Sequence, residues 1–122
     1  VSREFVVPDD AEFVQELGIE LGVERMGVGL RDEAVRMLAI DLADDDRVVF
    51  SFDVVGRSVR FRRLKGEMAV MDIFREGATR LSIGWSGETR CLAIEFETDS
   101  LRGQLEIKVG TCVEILDRML FL

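Results

Sequence analysis

Apolar and polar residues alternate at every second position through most of this sequence, which confines the chain largely to strands that bury one face. Phe50, Phe52 and Val54 alternate with Val49, Ser51 and Asp53, and Val59 and Phe61 alternate with Arg60 and Arg62. Leu81, Ile83 and Trp85 form another apolar row, followed by Leu92, Ile94 and Phe96, then by Leu105, Ile107 and Val109. A period of two places each set on one side of a strand, and one apolar face per strand marks an antiparallel sheet covered on one side. Trp85 is accordingly expected in the core. Val55-Gly56-Arg57-Ser58 reads as a two-residue turn with glycine at its first central position. That turn sets Val54 opposite Val59, Phe52 opposite Phe61 and Asp53 opposite Arg60. A second register closes Thr98 on Gly103, pairing Phe96 with Leu105, Ile94 with Ile107 and Leu92 with Val109.

Other segments punctuate this pattern. Arg3 to Val7 reads as a short edge strand. After Pro8, Asp9 and Glu12 form a capping box, and Phe13, Val14, Leu17 and Leu21 recur at helical spacing, predicting a helix over about 9–21 that Gly22 can end. Residues 23–34, with Gly27 and Gly29, read as a connection. The stretch 33–42 suits helix or strand; Leu38, Ile40 and Leu42, with a turn at Ala43-Asp44-Asp45-Asp46, favour strand. Met68, Met71 and Phe74 predict a short helix near 67–77 with Gly77 as its cap. A last strand is expected through 112–116. The expected fold is α+β: one domain over residues 1–122, mostly an antiparallel sheet of about five to seven strands under one or two short helices, with a small barrel or sandwich as the alternative.

The chain has no histidine and no tyrosine. Histidine is the usual general base near neutral pH, the usual partner of a catalytic serine or cysteine, and the commonest zinc ligand. Its absence removes triads, Cys-His dyads and most zinc sites, and leaves Ser86 between glycines without an activating base. No cofactor is implied. The Asp41, Asp44, Asp45 and Asp46 cluster lacks the glycine-bent loop and terminal glutamate of a calcium-binding hand, so it reads as a solvated turn. Glu106-Ile107-Lys108 with Asp99 superficially resembles the acid and Glu-x-Lys of metal-dependent nucleases, but it is also the ordinary pattern of an amphipathic strand. A carboxylate-based metal hydrolase is therefore the remote reading. Cys91 and Cys112 make no disulfide framework and are expected as buried thiols, with a cytoplasmic location.

Charge carries the functional reading. Residues 1–56 hold 14 acids and 5 bases, and residues 57–122 hold 10 acids and 11 bases, for a net charge of −8. Such a balance disfavours nucleic acid and anionic membrane, and it steers toward a basic protein partner. Glu12, Glu16 and Glu20 stand at i, i+4 and i+8, a self-repelling ridge on the predicted helix. This ridge, with Asp44, Asp45 and Asp46, is the candidate binding surface. Arg60 and Arg62 are further binding candidates for a phosphate or an acidic segment, set against the plainer reading of edge-strand cations paired to Asp53. In size, acidity and β-rich tail the chain resembles two loosely defined groups, toxin-neutralising immunity proteins and acidic secretion chaperones, although no motif ties it to either. The expected function is a small acidic protein-binding module, an inhibitor or chaperone-like adaptor. The alternative is a structural subunit or homo-oligomer joined through strand edges.

Overall fold

The computed structural model describes residues 4–24 and 35–122; the expected glycines of the 23–34 connection lie outside them. Among these residues one helix, α1 (Asp10–Leu17), precedes nine strands. β1 (Gly22–Glu24), β2 (Val35–Asp41), β3 (Asp46–Asp53), β4 (Ser58–Lys65) and β5 (Met68–Glu76) form one sheet in sequence order. β6 (Ala78–Ser86), β7 (Thr89–Glu97), β8 (Leu101–Val109) and β9 (Val113–Phe121) form the second. Every pairing between them is antiparallel. The mostly antiparallel character is as expected, while the strands outnumber the expectation and a single helix stands where two were allowed. Among the described residues no helix is long and apolar enough to cross a membrane.

The missing helix accounts for an extra strand. Met68 to Glu76, predicted helical, is β5, paired to β4 with Ile73 opposite Phe61 and Asp72 opposite Arg62. Gly66 takes the left-handed conformation (φ 58°) and donates its N–H to Asp45 O at 2.8 Å, which turns the chain straight back along β4. The ladder to β4 then satisfies one backbone edge of β5, and this tertiary pairing overrides a helical spacing too short to hold a helix alone. Gly77, read as a helix cap, instead bends one long strand path into two sheets. Its φ is 88°, and a Cβ there would stand 2.8 Å from Thr98 Cγ2. Ala78 N–H donates to Arg57 O and Glu97 N–H to Gly77 O, both at 3.0 Å, fastening the corner on each side.

Two registers differ from expectation by two residues. In β3–β4, Phe52 faces Val59, Phe50 faces Phe61, and Ser51 rather than Asp53 faces Arg60. Asp53 Oδ1 accepts the Gly56 N–H at 3.1 Å, so the loop widens to Val54–Arg57 and Asp53↔Ser58 becomes the last pair. In β7–β8, the Thr98 N–H donates to Leu101 O at 2.8 Å, giving Ile94↔Leu105, Leu92↔Ile107 and Phe96↔Gly103. Gly103 leaves room there for Met119 of β9, whose side chain occupies the space a Cβ would need. An even shift returns each side chain to its own face, so the apolar rows survive the change. Cys91 faces Lys108; it is half-buried and Cys112 is exposed, both as free thiols rather than buried ones.

The two sheets share one core, including Leu38, Val48, Phe50, Phe61, Leu92, Ile94, Leu105 and Ile107. Helix α1 adds Phe13 and Leu17, with Phe13 stacked on Phe52 at 5.7 Å between centroids. Its capping box forms as the sequence predicts, but Gly18 (φ 68°) ends it at Leu17, four residues early. Trp85, expected in the core, is 49% exposed. Its indole N–H donates to Glu16 O, while Arg90 lies 5.1 Å over the ring and donates to Leu17 O at 3.2 Å. Both side chains therefore satisfy carbonyls at the helix C-terminus, where the backbone has no partners of its own and a cation is favourable. Val6 makes a single parallel bridge to Arg80, the remnant of the expected edge strand, and the expected C-terminal strand extends to Phe121.

Arg75 on β5 clasps Asp117 on β9 through two hydrogen bonds of 2.8 Å and lies 5.2 Å over the Phe96 ring. The hydrogen bonds from Arg75 hold the Asp117 carboxyl below its ordinary value of 3.8, against the opposing effect of burial. A depressed carboxylate stabilises the fold fully above its unfolded value and loses that contribution as pH falls through its folded value. Asp117→Asn is thus expected to melt below the parent from neutral pH down to about pH 5, with the two melting curves converging in stronger acid. Gly77→Ala is expected to lower stability by about 1–3 kcal/mol, read as a lower urea midpoint at unchanged slope.

Candidate docking face

With the core on one side, the register of the five-stranded sheet sets out its opposite side as a grid. One row reads Asp53, Ser58, Glu76; the next reads Met37, Ser51, Arg60, Phe74; a third reads Ala39, Val49, Arg62, Asp72. A cavity of about 460 Å³ opens here, lined among others by Val35, Ser51, Asp53, Arg60, Asp72 and Phe74. Ser51 is only 3% exposed at its floor, whereas Phe74 is 62% exposed at its rim. Arg60 grips Asp72 through Nε at 2.9 Å and Nη2 at 2.6 Å. Those hydrogen bonds, followed by the charges of Arg60 and Arg62, hold the Asp72 carboxyl below its ordinary range despite its partial burial.

The candidate residues separate on this frame. Arg60 lines the cavity and Arg62 sits one row away; β4 is an interior strand, and the carboxylate held by Arg60 is Asp72, not Asp53. Glu12 and Glu16 are exposed on α1, but Glu20 lies beyond the Gly18 cap, so no three-residue ridge forms. Asp44 and Asp45 occupy the β2–β3 turn, both with positive φ. Asp46 is 6% exposed and bound by Arg63 at 3.2 and 2.7 Å, which fixes the strand start rather than presenting a charge outward. Those Arg63 hydrogen bonds also depress its carboxyl. Asp10 at the start of α1 pairs with Arg36 near one end of β2, while Asp41 closes the other end. Five residues of strand, about 16 Å, separate those two points, so the helix acids and the turn acids do not form one surface.

The hydrolase trio does not assemble. Lys108 and Glu106 pair with each other at 3.7 Å along β8, while Asp99 sits in the turn before the strand. Among the described residues no three acids or cysteines stand close enough together to hold a metal ion. What the sequence reading missed is Asp72 and Phe74, because a helical reading of 67–77 removes them from the sheet. Their partner Arg60 was the available signal: an alternating strand beside Asp72 and Phe74 gives it a carboxylate neighbour at strand spacing. Exposed Met68, Val70 and Met71 extend the apolar rim along β5, and Leu120, Phe121 and Leu122 form a second exposed apolar stretch, Phe121 at 91%. Clustered exposure of this kind on edge strands marks interaction surface.

No family model matches the chain, and no curated protein matches it in sequence. Its fold is shared with a chain of a solved structure described as a contact-dependent growth inhibition toxin–immunity protein complex from Klebsiella pneumoniae 342. The likeness covers 93% of this chain and 96% of that one, with a TM-score of 0.75 at 19% identity. At that identity it is the fold that is shared.

Arg60→Met is expected to raise the Asp72 carboxyl toward its ordinary value, with Arg62 still holding it partly down. A carboxyl-detected NMR titration measures the shift; an unmoved Asp72 would mean that the Arg60 contact is not formed in solution.

Proposed function

We propose that this chain is an immunity-type binding module that holds and neutralises a toxin domain of net positive charge. The observation that carries this reading is the exposed apolar edge of β5 beside the cavity of the five-stranded sheet, a rim with no further strand on it among the described residues and with the exposed ring of Phe74 beside it. Support comes from the shared fold with a chain of a toxin–immunity complex. Of the two roles in such a complex, the absence of histidine and the dispersed Asp99, Glu106 and Lys108 favour the non-catalytic one. A net charge of −8 accelerates encounter with a basic partner, while buried apolar and aromatic contacts supply most of the affinity. A second reading, an assembly of copies, rests on the exposed Leu120, Phe121 and Leu122 at the end of β9.

The test is a pull-down from source-cell lysate at low and moderate salt, followed by co-expression of the retained protein with the chain. One basic protein is expected to be retained. Val70→Asp with Phe74→Asp should abolish retention, Glu12→Lys with Glu16→Lys should weaken it modestly, and co-expression should relieve growth arrest. Retention of further copies of the chain alone would favour the assembly.

A further inference from the structure

We propose that two copies of this chain pair edge to edge through β9, antiparallel, with the two Leu116 side chains meeting at the two-fold axis. This goes beyond the binding-module reading and does not rest on it, since β5 carries that reading and β9 carries this one. β9 ends the four-stranded sheet, with no further strand beside it among the described residues. Two hydrogen bonds fix the direction of its backbone groups: Leu122 N–H donates to Ser100 O and Gly110 N–H to Cys112 O, both at 3.0 Å. Even-numbered residues of β9 therefore turn their N–H and C=O toward β8, while Val113, Ile115, Asp117, Met119 and Phe121 turn theirs to the open edge. A free ladder of this kind is a template for another strand.

The side chains select the occupant and the register. Asp117 and Ile115 stand opposite the core residues Leu105 and Ile107, so Glu114, Leu116, Arg118 and Leu120 lie on the outer face. Glu114 and Arg118 are exposed, and neither makes an ion pair or side-chain hydrogen bond among the described residues. Lys108, across from Glu114 on β8, pairs instead with Glu106 at 3.7 Å, and Arg75 holds Asp117. A two-fold axis normal to the sheet reverses direction and keeps faces, so even-numbered residues meet even-numbered ones. Of these registers, only the one centred on Leu116 sets Glu114 opposite the partner's Arg118, and by symmetry Arg118 opposite the partner's Glu114. Even positions are then the non-hydrogen-bonded pairs, in which side chains stand closest, so two ion pairs bracket the Leu116 contact. An axis at Glu114 or at Arg118 would instead oppose like charges. Glu-x-Leu-x-Arg is thus complementary to itself read backwards, as an isologous contact requires. The same register lays exposed Leu120 against the partner's Cys112, which is also exposed.

The experiment is sedimentation equilibrium of the full chain from about 10 μM to about 1 mM, a range suited to a contact as small as one strand pair. The parent is expected to pass from monomer to dimer across it. Glu114→Arg or Arg118→Glu alone should weaken the dimer about tenfold or more, and the two together should restore it. Both positions are exposed, so all three variants should keep the parent's circular dichroism and melting curve. Single-cysteine chains carrying Cys91→Ser and Cys112→Ser read the register. Leu116→Cys is expected to oxidise to a covalent dimer. Arg118→Cys, about 13 Å along the strand from its own copy, should stay monomeric under the same oxidation. A monomer throughout the range, a dimer indifferent to either charge reversal, no rescue by the double reversal, or equal crosslinking at both cysteine positions would overturn the proposal. Retention of a toxin partner is a separate readout, so the failure of one reading leaves the other standing.

Discussion

Each of the two sheets has one apolar face, and among the described residues, with one short helix beside them, each sheet covers the apolar face of the other. Phe50 and Phe61 from one side and Ile94 and Ile107 from the other are essentially inaccessible to water because of that contact. Burying a side chain of this size stabilises by about 1.5–3 kcal/mol, so the rows act together and neither sheet would keep its form alone. Gly77 joins the sheets covalently at a corner only glycine accommodates well, and Arg75 with Asp117 clasps them through a bidentate pair. Helix α1 plugs the remaining gap with Phe13 and Leu17, and its last carbonyls are satisfied by Trp85 and Arg90 from the second sheet.

This arrangement decides where binding can happen. The covered faces are closed, leaving the outward grid of β2 to β5 and the strand edges. On that grid Arg60 meets Asp72 at strand spacing, and on the core-side face of the same sheet Arg63 meets Asp46 at its end. Internal pairing of this kind gives each strand a settled register, and the surplus negative charge then remains on groups such as Glu12, Glu16, Asp44 and Asp45 at different ends of the fold. An acidic chain is not thereby an acidic patch. A net charge of −8 acts at long range, whereas short-range selectivity in any protein interface depends on local shape and aromatic or apolar contacts.

The apolar rows of β3, β4, β6, β7 and β8, the Asp9–Glu12 capping box and the strand over Val35–Asp41 were all legible, because each depends on local periodicity or on residues three apart. Of the residues lining the outer cavity, Arg60 was singled out, while Asp72 and Phe74 were hidden by Met68, Met71 and Phe74, whose spacing fits a helix as well as an alternating edge strand. Nothing local distinguishes the two; pairing with β4 does. Trp85 looked like a core residue by alternation, yet at the strand end its neighbour is the terminus of α1, which lies 69 residues away in sequence.

By itself, then, the sequence determined which residues face inward, since a period of two sorts side chains whatever the register. It also excluded histidine chemistry outright. Only the tertiary structure decided register, the sheet-to-sheet corner and the dispersal of the acids. Turn geometry at Asp53 and Thr98 moved two hairpins by an even step that composition and alternation cannot detect, because every side chain returns to the same face. The outer face of the five-stranded sheet arises in the same way: Asp53, Ser58 and Glu76 are brought side by side by hydrogen bonds between strands.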